Sequence, residues 1–184
     1  MSGRRRWRAA PAAPNPPGAH FLIDKKVISQ LVTASGAGAG DLVLDLGAGY
    51  GALTIPLART GARVVAIELD PKLARVLTSR CAPYHNVTVR QADLRALRPP
   101  RRSYRVVASP PFALTSLLLS RLIGARESGL LSADLVLELG AAKGLAARGD
   151  RRYEIELIRP ITASSFSPPP ARDAAHVRIR RRGG

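Results

Sequence analysis

The chain has 184 residues, 46% of them hydrophobic, which suits one domain with a substantial core and excludes wholesale disorder. Lys and Arg outnumber Asp and Glu by 29 to 13, a net charge of +16, so the expected partner is a polyanion, nucleic acid ahead of an acidic membrane. One cysteine excludes an internal disulfide, three scattered histidines give no metal-ligand spacing, and no apolar run approaches the ~20 residues of a membrane span. The basic opening lacks a following apolar stretch, so a secretory signal is not expected; a cytoplasmic monomer is.

Residues 1–18 carry Arg4, Arg5, Arg6 and Arg8, then Pro11, Pro14, Pro16 and Pro17, and read as a flexible basic arm. Residues 19–182 read as the folded domain and 183–184 as a tail. Asp24 to Ala34 has helical spacing, with Val27, Ile28, Leu31 and Val32 apolar. Leu42–Leu46 reads as a buried strand, Leu53–Arg59 as a helix, Arg63–Glu68 as a strand, and Pro71–Cys81 as a helix with proline in its first turn. Strands are predicted over Val87–Arg90, Tyr104–Ala108, Ala133–Leu139 and Ile155–Ile158, with a helix over Ser116–Ile123. Leu137 to Leu139 reads as a buried strand edge, and Asp134 and Lys143 as surface charges. Val177–Arg182 (VRIRRR) reads as a last strand with a cationic outer face and tail. This alternation predicts an α/β domain with a mainly parallel central sheet flanked by helices, whose ligands bind beyond the carboxyl ends of the strands.

The segment VLDLGAGYGALT, Val43 to Thr54, is a strand running into a glycine-rich loop and a helix. Gly47, Gly49 and Gly51 let the loop turn sharply and let a cofactor lie against its backbone. Glu68 closes the next strand, where a carboxylate accepts hydrogen bonds from two ribose hydroxyls. Gln91-Ala92-Asp93 follows the third strand and offers an acceptor to an adenine amino group. A dinucleotide fits less well: the spacing is GxGxG rather than GxGxxG, and Asp45 would repel a pyrophosphate. The same carboxylate suits the cationic methionine moiety of S-adenosylmethionine.

Ser109-Pro110-Pro111-Phe112 follows the fourth strand. Consecutive prolines leave carbonyls without local N–H partners and fix the loop's direction. Acceptors on the two protons of an exocyclic amine localise its lone pair and aim it at a sulfonium methyl. Phe112 can stack on a base lifted out of its helix.

With these segments in place, the chain resembles the erythromycin-resistance (Erm) rRNA adenine N6-methyltransferases, relatives of the small-subunit rRNA dimethyladenosine transferases, over residues 15–182. Gly18-Ala19-His20-Phe21-Leu22 resembles that family's GQ(N/H)FL motif, Leu44 to Thr54 its glycine loop, and Ser109 to Phe112 its N-(I/L/P)-P-(Y/F) motif. Phe166-Ser167-Pro168-Pro169-Pro170 with Arg172 to Ala175 resembles its F-x-P-x-P-x-V-(D/N)-S-A segment. The resemblance implies a class I S-adenosylmethionine-dependent methyltransferase of Rossmann-like fold. It implies methylation of an adenine N6 in 23S rRNA or its precursor, with resistance to macrolides, lincosamides and streptogramins as the result. It implies cofactor contacts from His20, Leu22, Asp45, Gly47, Ala48, Gly49, Gly51, Glu68, Leu69, Ala92, Asp93 and Ser109. It implies catalysis at Ser109, Pro110 and Phe112, and base stacking on Phe112 and Phe166.

Three departures stand out. Ser109 replaces the usual Asn with a shorter side chain and a single hydroxyl, from which slower transfer and monomethylation are expected. Ala19 replaces the usual Gln. The resemblance stops where that family adds a small helical domain, and Arg4, Arg5, Arg6, Arg8, Arg180, Arg181 and Arg182 are expected to hold RNA in its place, with strong salt dependence. Alternative readings are a methyltransferase acting on DNA adenine or protein, since a proline-proline-aromatic motif also serves those enzymes, or an RNA-binding pseudoenzyme weakened by Ser109.

Overall fold

The computed structural model describes residues 19–125 and 127–183. The arm at 1–18, with Arg4, Arg5, Arg6 and Arg8, lies outside the described residues. Among those described, no helix is long and apolar enough to cross a membrane.

The described chain opens with a two-residue strand, β1 (Phe21–Leu22), and then α1 (Lys25–Ser35). The Asp24 carboxylate caps α1, accepting from the backbone N–H groups of Lys26 and Val27 at 2.9 and 3.2 Å. Those bonds, Val27's foremost, hold its carboxyl below the usual value. Gly36, in the left-handed region at φ 62°, ends the helix. β2 (Leu42–Leu46) is buried at every position, as a central parallel strand must be, and leads through the glycine loop into α2 (Thr54–Arg59). β3 (Arg63–Glu68), α3 (Pro71–Cys81) and β4 (Val87–Gln91) complete the first half. β5 (Tyr104–Ala108), α4 (Thr115–Leu122), β6 (Leu130–Glu138), α5 (Leu139–Arg148) and β7 (Tyr153–Ile161) follow. The two-residue strand β8 (Phe166–Ser167) then precedes β9 (Ala174–Arg181).

Seven strands form one sheet in the order β4-β3-β2-β5-β6-β9-β7. The first five are mutually parallel, and β9 runs antiparallel to both its neighbours. One face buries Leu44, Leu46, Val106 and Leu135 against Leu118 and Leu122 of α4 and Leu145 of α5. The other buries Val43, Val64, Val107 and Val136 against Leu31 of α1 and Leu57 of α2. The mainly parallel α/β sheet flanked by helices is thus the predicted architecture. The carboxyl ends of β2, β3 and β5 carry the glycine loop, Glu68 and Ser109 to one edge of the sheet.

Three sequence-based expectations need correction. The strand read over Ala133–Leu139 ends one residue sooner: Leu137 is buried within β6, which closes at Glu138, and Leu139 begins α5. That helix escaped notice because Gly140 and Gly144 are weak helix formers and only Ala142 and Leu145 are buried, leaving little apolar periodicity. Asp134 is no surface charge: it is 1% exposed, and its Oδ1 accepts from His176 Nε2 at 2.7 Å and from Arg178 Nε and Nη2 at 3.0 and 2.9 Å. The outer face of the last strand is not uniformly cationic either. Arg178 points at Asp134, Arg180 lies 3.7 and 3.6 Å from Glu154 and Glu156, and Arg181 Nε donates to the Leu130 carbonyl. The sequence reading also passed over β1 and β8, which pair antiparallel in a separate two-stranded sheet. At two residues each, these strands are too short to show a pattern in sequence.

Candidate active site

The loop after β2 is held by the neighbouring strand, with the backbone N–H groups of Gly47 and Ala48 both donating to the Ile67 carbonyl at 2.9 and 3.0 Å. Gly47 adopts φ 77°, and a Cβ there would sit 3.0 Å from Pro111 Cδ and 3.5 Å from Pro110 Cα. Glycine is therefore required both by the turn and by close approach of the Ser109–Phe112 loop. At Gly51, φ 84°, a Cβ would come within 2.6 Å of Leu77 Cδ1, so this glycine serves the packing of α3 instead.

Three carboxylates surround the loop, each in a different state. Asp45, at 1% exposure, accepts from Thr54 Oγ1 at 2.6 Å. Burial, reinforced by the nearby Glu68 charge, raises its pKa to about 7. Glu68 is also buried, but its Oε2 accepts from Gly49 N at 2.7 Å and its Oε1 from Asp70 N at 2.9 Å. One lone pair on each oxygen is thereby engaged and a second is left for a ligand. Asp93 is more open, accepting from Arg95 N at 2.8 Å and lying 3.3 Å from the Arg95 guanidinium.

Ser109 follows β5 with its Oγ buried and without a hydrogen-bond partner. Pro110 is buried, and the Pro111 carbonyl accepts from Leu114 N at 2.9 Å, closing a tight turn over Phe112–Leu114. The Phe112 ring, half-buried, stands between two others. His20 lies 6.2 Å from it with the planes 31° apart, and Phe166 lies 6.1 Å away edge-on at 77°. His20 Nδ1 is 2.9 Å from the Pro168 carbonyl, which can only accept, so Nδ1 carries the proton. The pairing of β1 with β8, extended by Ile23 N and Asp24 N donating to the Ser165 carbonyl, clasps the two segments together.

These parts enclose one cavity of about 790 Å³, lined by both loops, by Glu68 to Pro71 and Leu73, and by Asp93 to Arg95. Of the residues singled out in the sequence, His20, Leu22, Asp45, Gly47, Ala48, Glu68, Leu69, Asp93 and Ser109 line it together. Gly49, Gly51, Ala92, Pro110, Phe112 and Phe166 do not. Gly49 lies under the Phe21 ring, where a Cβ would come within 2.9 Å, and Phe166 is 2% exposed, so it supports Phe112 rather than presenting a free face. Sequence reasoning missed Tyr50, Arg80, Leu94, Arg95 and Pro111, which also line the cavity. Their sequence signal was proximity alone: Tyr50 sits within the glycine loop, and Leu94 and Arg95 directly follow Asp93. Arg80, on α3, reaches the cavity by donating to the Tyr50 carbonyl at 2.6 Å. Leu69 and Ile23, 53% and 54% exposed, are also part of its lining. No group of three or more metal-ligating side chains occurs among the described residues.

Of the arginines expected to hold RNA, Arg182 is exposed and Arg180 half-exposed beside its two glutamates. Arg181 is turned inward, donating to the carbonyls of Leu130 and Ser128 and to the Tyr153 hydroxyl. Its guanidinium is spent on the fold.

Residues 17–184 match the family profile described as ribosomal RNA adenine dimethylase. An rRNA adenine N-6-methyltransferase from Bacillus licheniformis is 33% identical over 179 residues, covering 92% of this chain and 62% of that protein. A ribosomal RNA small subunit methyltransferase A from Nitrosococcus oceani is 35% identical over 180 residues, covering 88% and 67%. The chain therefore spans under two thirds of the length of the first of these relatives. Among solved structures, the 23S rRNA methyltransferase ErmE superposes with a TM-score of 0.81 at 28% identity, over 89% of this chain and 70% of that one. A dimethyladenosine transferase from Plasmodium falciparum shares the fold, with a TM-score of 0.77 at 22% identity.

Proposed function

This chain belongs to the ribosomal RNA adenine dimethylase family, and we propose that it transfers methyl groups from S-adenosylmethionine to the N6 of an adenine in ribosomal RNA. The observation that carries the proposal is one cavity lined together by Asp45, Glu68, Asp93 and Ser109, whose buried Oγ has no hydrogen-bond partner.

The residues fit the cofactor. A cavity of about 790 Å³ lies within the range of small-molecule sites. Glu68 has one lone pair on each oxygen for the ribose hydroxyls, Leu69 and Leu94 are apolar surfaces for a purine, and Asp93 is an acceptor for its amino group. Asp45 supplies negative charge beside the glycine loop, and a cation brought to it favours its ionised form. When bound, the cofactor supplies a methyl group activated on a sulfonium sulfur. The chain's own part is placement: Phe112, backed edge-on by Phe166 and flanked by His20, gives a flipped base a face to stack on. The Ser109 hydroxyl and the Pro110 carbonyl accept from the amine, turning its lone pair toward the methyl.

We further propose 23S rRNA as the substrate, with macrolide-class resistance as the consequence, on the strength of the likeness to ErmE. The identity to a small-subunit enzyme favours 16S rRNA as the second reading. Incubation with labelled methyl donor and protein-free 23S rRNA, 16S rRNA, DNA and a basic protein separates these readings. Label is expected in 23S adenine. Label only in 16S rRNA supports the second reading, and label in DNA or protein redirects the substrate. Cofactor binding with no label anywhere leaves an RNA-binding pseudoenzyme.

A further inference from the structure

We infer that the chain carries a second RNA contact, an arginine cluster on the edge of the sheet opposite the methyl-transfer cavity, which grips the phosphate backbone of the same ribosomal RNA. The inference rests on the RNA reading above and concerns how the substrate is held, not where it is methylated.

The strand register builds the cluster. Tyr104 pairs with Leu130 and Tyr153 with Arg181, so the starts of β5, β6 and β7 meet the end of β9 along one edge. The connecting segments are tied together there. Gly129 N donates to the Pro100 carbonyl at 3.0 Å, Arg182 N to the Arg152 carbonyl at 2.8 Å, and Arg181 Nε to the Leu130 carbonyl at 2.9 Å. Gly129 packs so closely on the Arg102 carbonyl that no Cβ fits. Three segments far apart in sequence thus present Arg102, Arg151 and Arg182, all exposed, from an anchored backbone. Ser109, at the other end of β5, lies seven residues from Arg102, about 20 Å along the strand.

The neighbouring charges are already engaged. Arg152 is turned inward on the carbonyls of Ile123 and Ala125, as Arg181 is on those of Leu130 and Ser128. Arg101 faces Glu127 at 2.7 Å, and the Asp150 carboxylate accepts from Arg152 N and Tyr153 N. No acid among the described residues pairs with Arg102, Arg151 or Arg182. Their planar forks of N–H donors suit phosphate oxygens, and the exposed Ser103 adds a hydroxyl beside them. An acidic membrane fits less well, because surfaces that bind one insert apolar side chains next to their cations. The exposed large hydrophobic residues, Ile23, Leu69, Val76 and Ile158, all lie outside these segments. A ribosomal RNA is long enough to reach both edges. Once it is held at one, its target meets the other at a raised effective concentration.

The test compares the full chain as wild type, as Arg102→Ala with Arg151→Ala, and as Arg102→Lys with Arg151→Lys. Filter binding of protein-free 23S and 16S rRNA is followed over a range of salt. The alanine pair should lower the slope of log affinity against log salt by about 1.5, the effect of two lost phosphate contacts, and the lysine pair should nearly restore it. In methyl transfer to the same RNA, the alanine pair should raise KM by about tenfold and leave kcat within about twofold, since only binding is lost. Melting temperatures should match, both side chains being exposed. Flotation with phosphatidylserine vesicles should not distinguish wild type from the alanine pair. An unchanged slope and KM overturn the inference, as does a loss confined to vesicle binding, which assigns the cluster to a membrane. Absence of methyl on adenine with the slope change intact overturns the catalytic reading and leaves this contact standing.

Discussion

Asp134 on β6 receives the Arg178 guanidinium of β9 through two hydrogen bonds, at 2.9 and 3.0 Å, while only 1% exposed to solvent. The same Asp134 oxygen accepts from the fully buried His176 ring, and Arg178 extends to the Ala34 carbonyl in the last turn of α1 at 2.7 Å. The cluster thus joins two strands to the end of a helix. Removing the carboxylate strands a buried guanidinium, so Asp134→Ala should cost about 3–5 kcal/mol. Asp134→Asn should cost less, because its amide oxygen still accepts. Urea unfolding measures both, and a loss below about 1 kcal/mol for alanine would show that the cluster is not a keystone.

Asp45 should make the cofactor-free chain less stable as the pH rises from 4 to neutrality. Its pKa is raised from 3.8 to about 7 by burial, so the folded state keeps a proton that the unfolded state releases. Asp45's own contribution is therefore most favourable below pH 4, declines between pH 4 and about 7, and is level above. Asp45→Asn removes that slope. The variant should melt several degrees above wild type at pH 8 and together with it at pH 4, while its affinity for S-adenosylmethionine falls at least tenfold. Calorimetry across pH 4–8 with parallel titration of the cofactor decides; equal melting at pH 8 would count against a destabilising Asp45.

The cofactor half of this site was legible because its geometry is local. The glycine loop, Glu68 and Asp93 each end or follow a strand whose apolar run is plain in the sequence. Asp134 was not legible, since an acid in a strand looks alike whether it faces water or an arginine 44 residues away. Phe166 was named from the sequence for base stacking, and the structure places it buried and edge-on behind Phe112. Whether an aromatic offers a face or props up another depends on packing across the β1–β8 clasp, which nothing local records.

Phe112 and Phe166 should separate cleanly when truncated. Phe112 is half-buried at the mouth of the site, so Phe112→Ala should leave the melting temperature within a few degrees and weaken RNA turnover by the about 1–3 kcal/mol that base stacking provides. Phe166 is 2% exposed within the core beneath α1, so Phe166→Ala should cost about 3–5 kcal/mol of stability. Thermal melts alongside kcat/KM for methyl transfer test the pair. Similar melting losses for both would argue against the division.

Arg181 and Arg182 are neighbours with opposite exposure, the first turned inward and the second to solvent. Arg182→Ala should reduce the slope of log affinity for RNA against log salt by about 1, the effect of one phosphate contact, with stability unchanged. Arg181→Ala should leave that slope alone and destabilise the fold, because it unpairs the Leu130 and Ser128 carbonyls. Filter binding at several salt concentrations gives the slope, and an unchanged slope for Arg182→Ala would remove that residue from the RNA surface.

The placement of β9 between β6 and β7 sets an order of events during synthesis. In the main sheet β7 pairs with β9 alone, so residues 153–161 wait for residues 174–181 to leave the ribosome before they gain a partner. Until then β6 is itself an open border, its nine residues from Leu130 to Glu138 largely apolar and ready to pair with any strand they meet. The nascent protein thus passes through an interval in which more than half of the sheet is assembled and its next unpaired strand is adhesive. That interval closes only when a single late strand slots into the middle of the sheet.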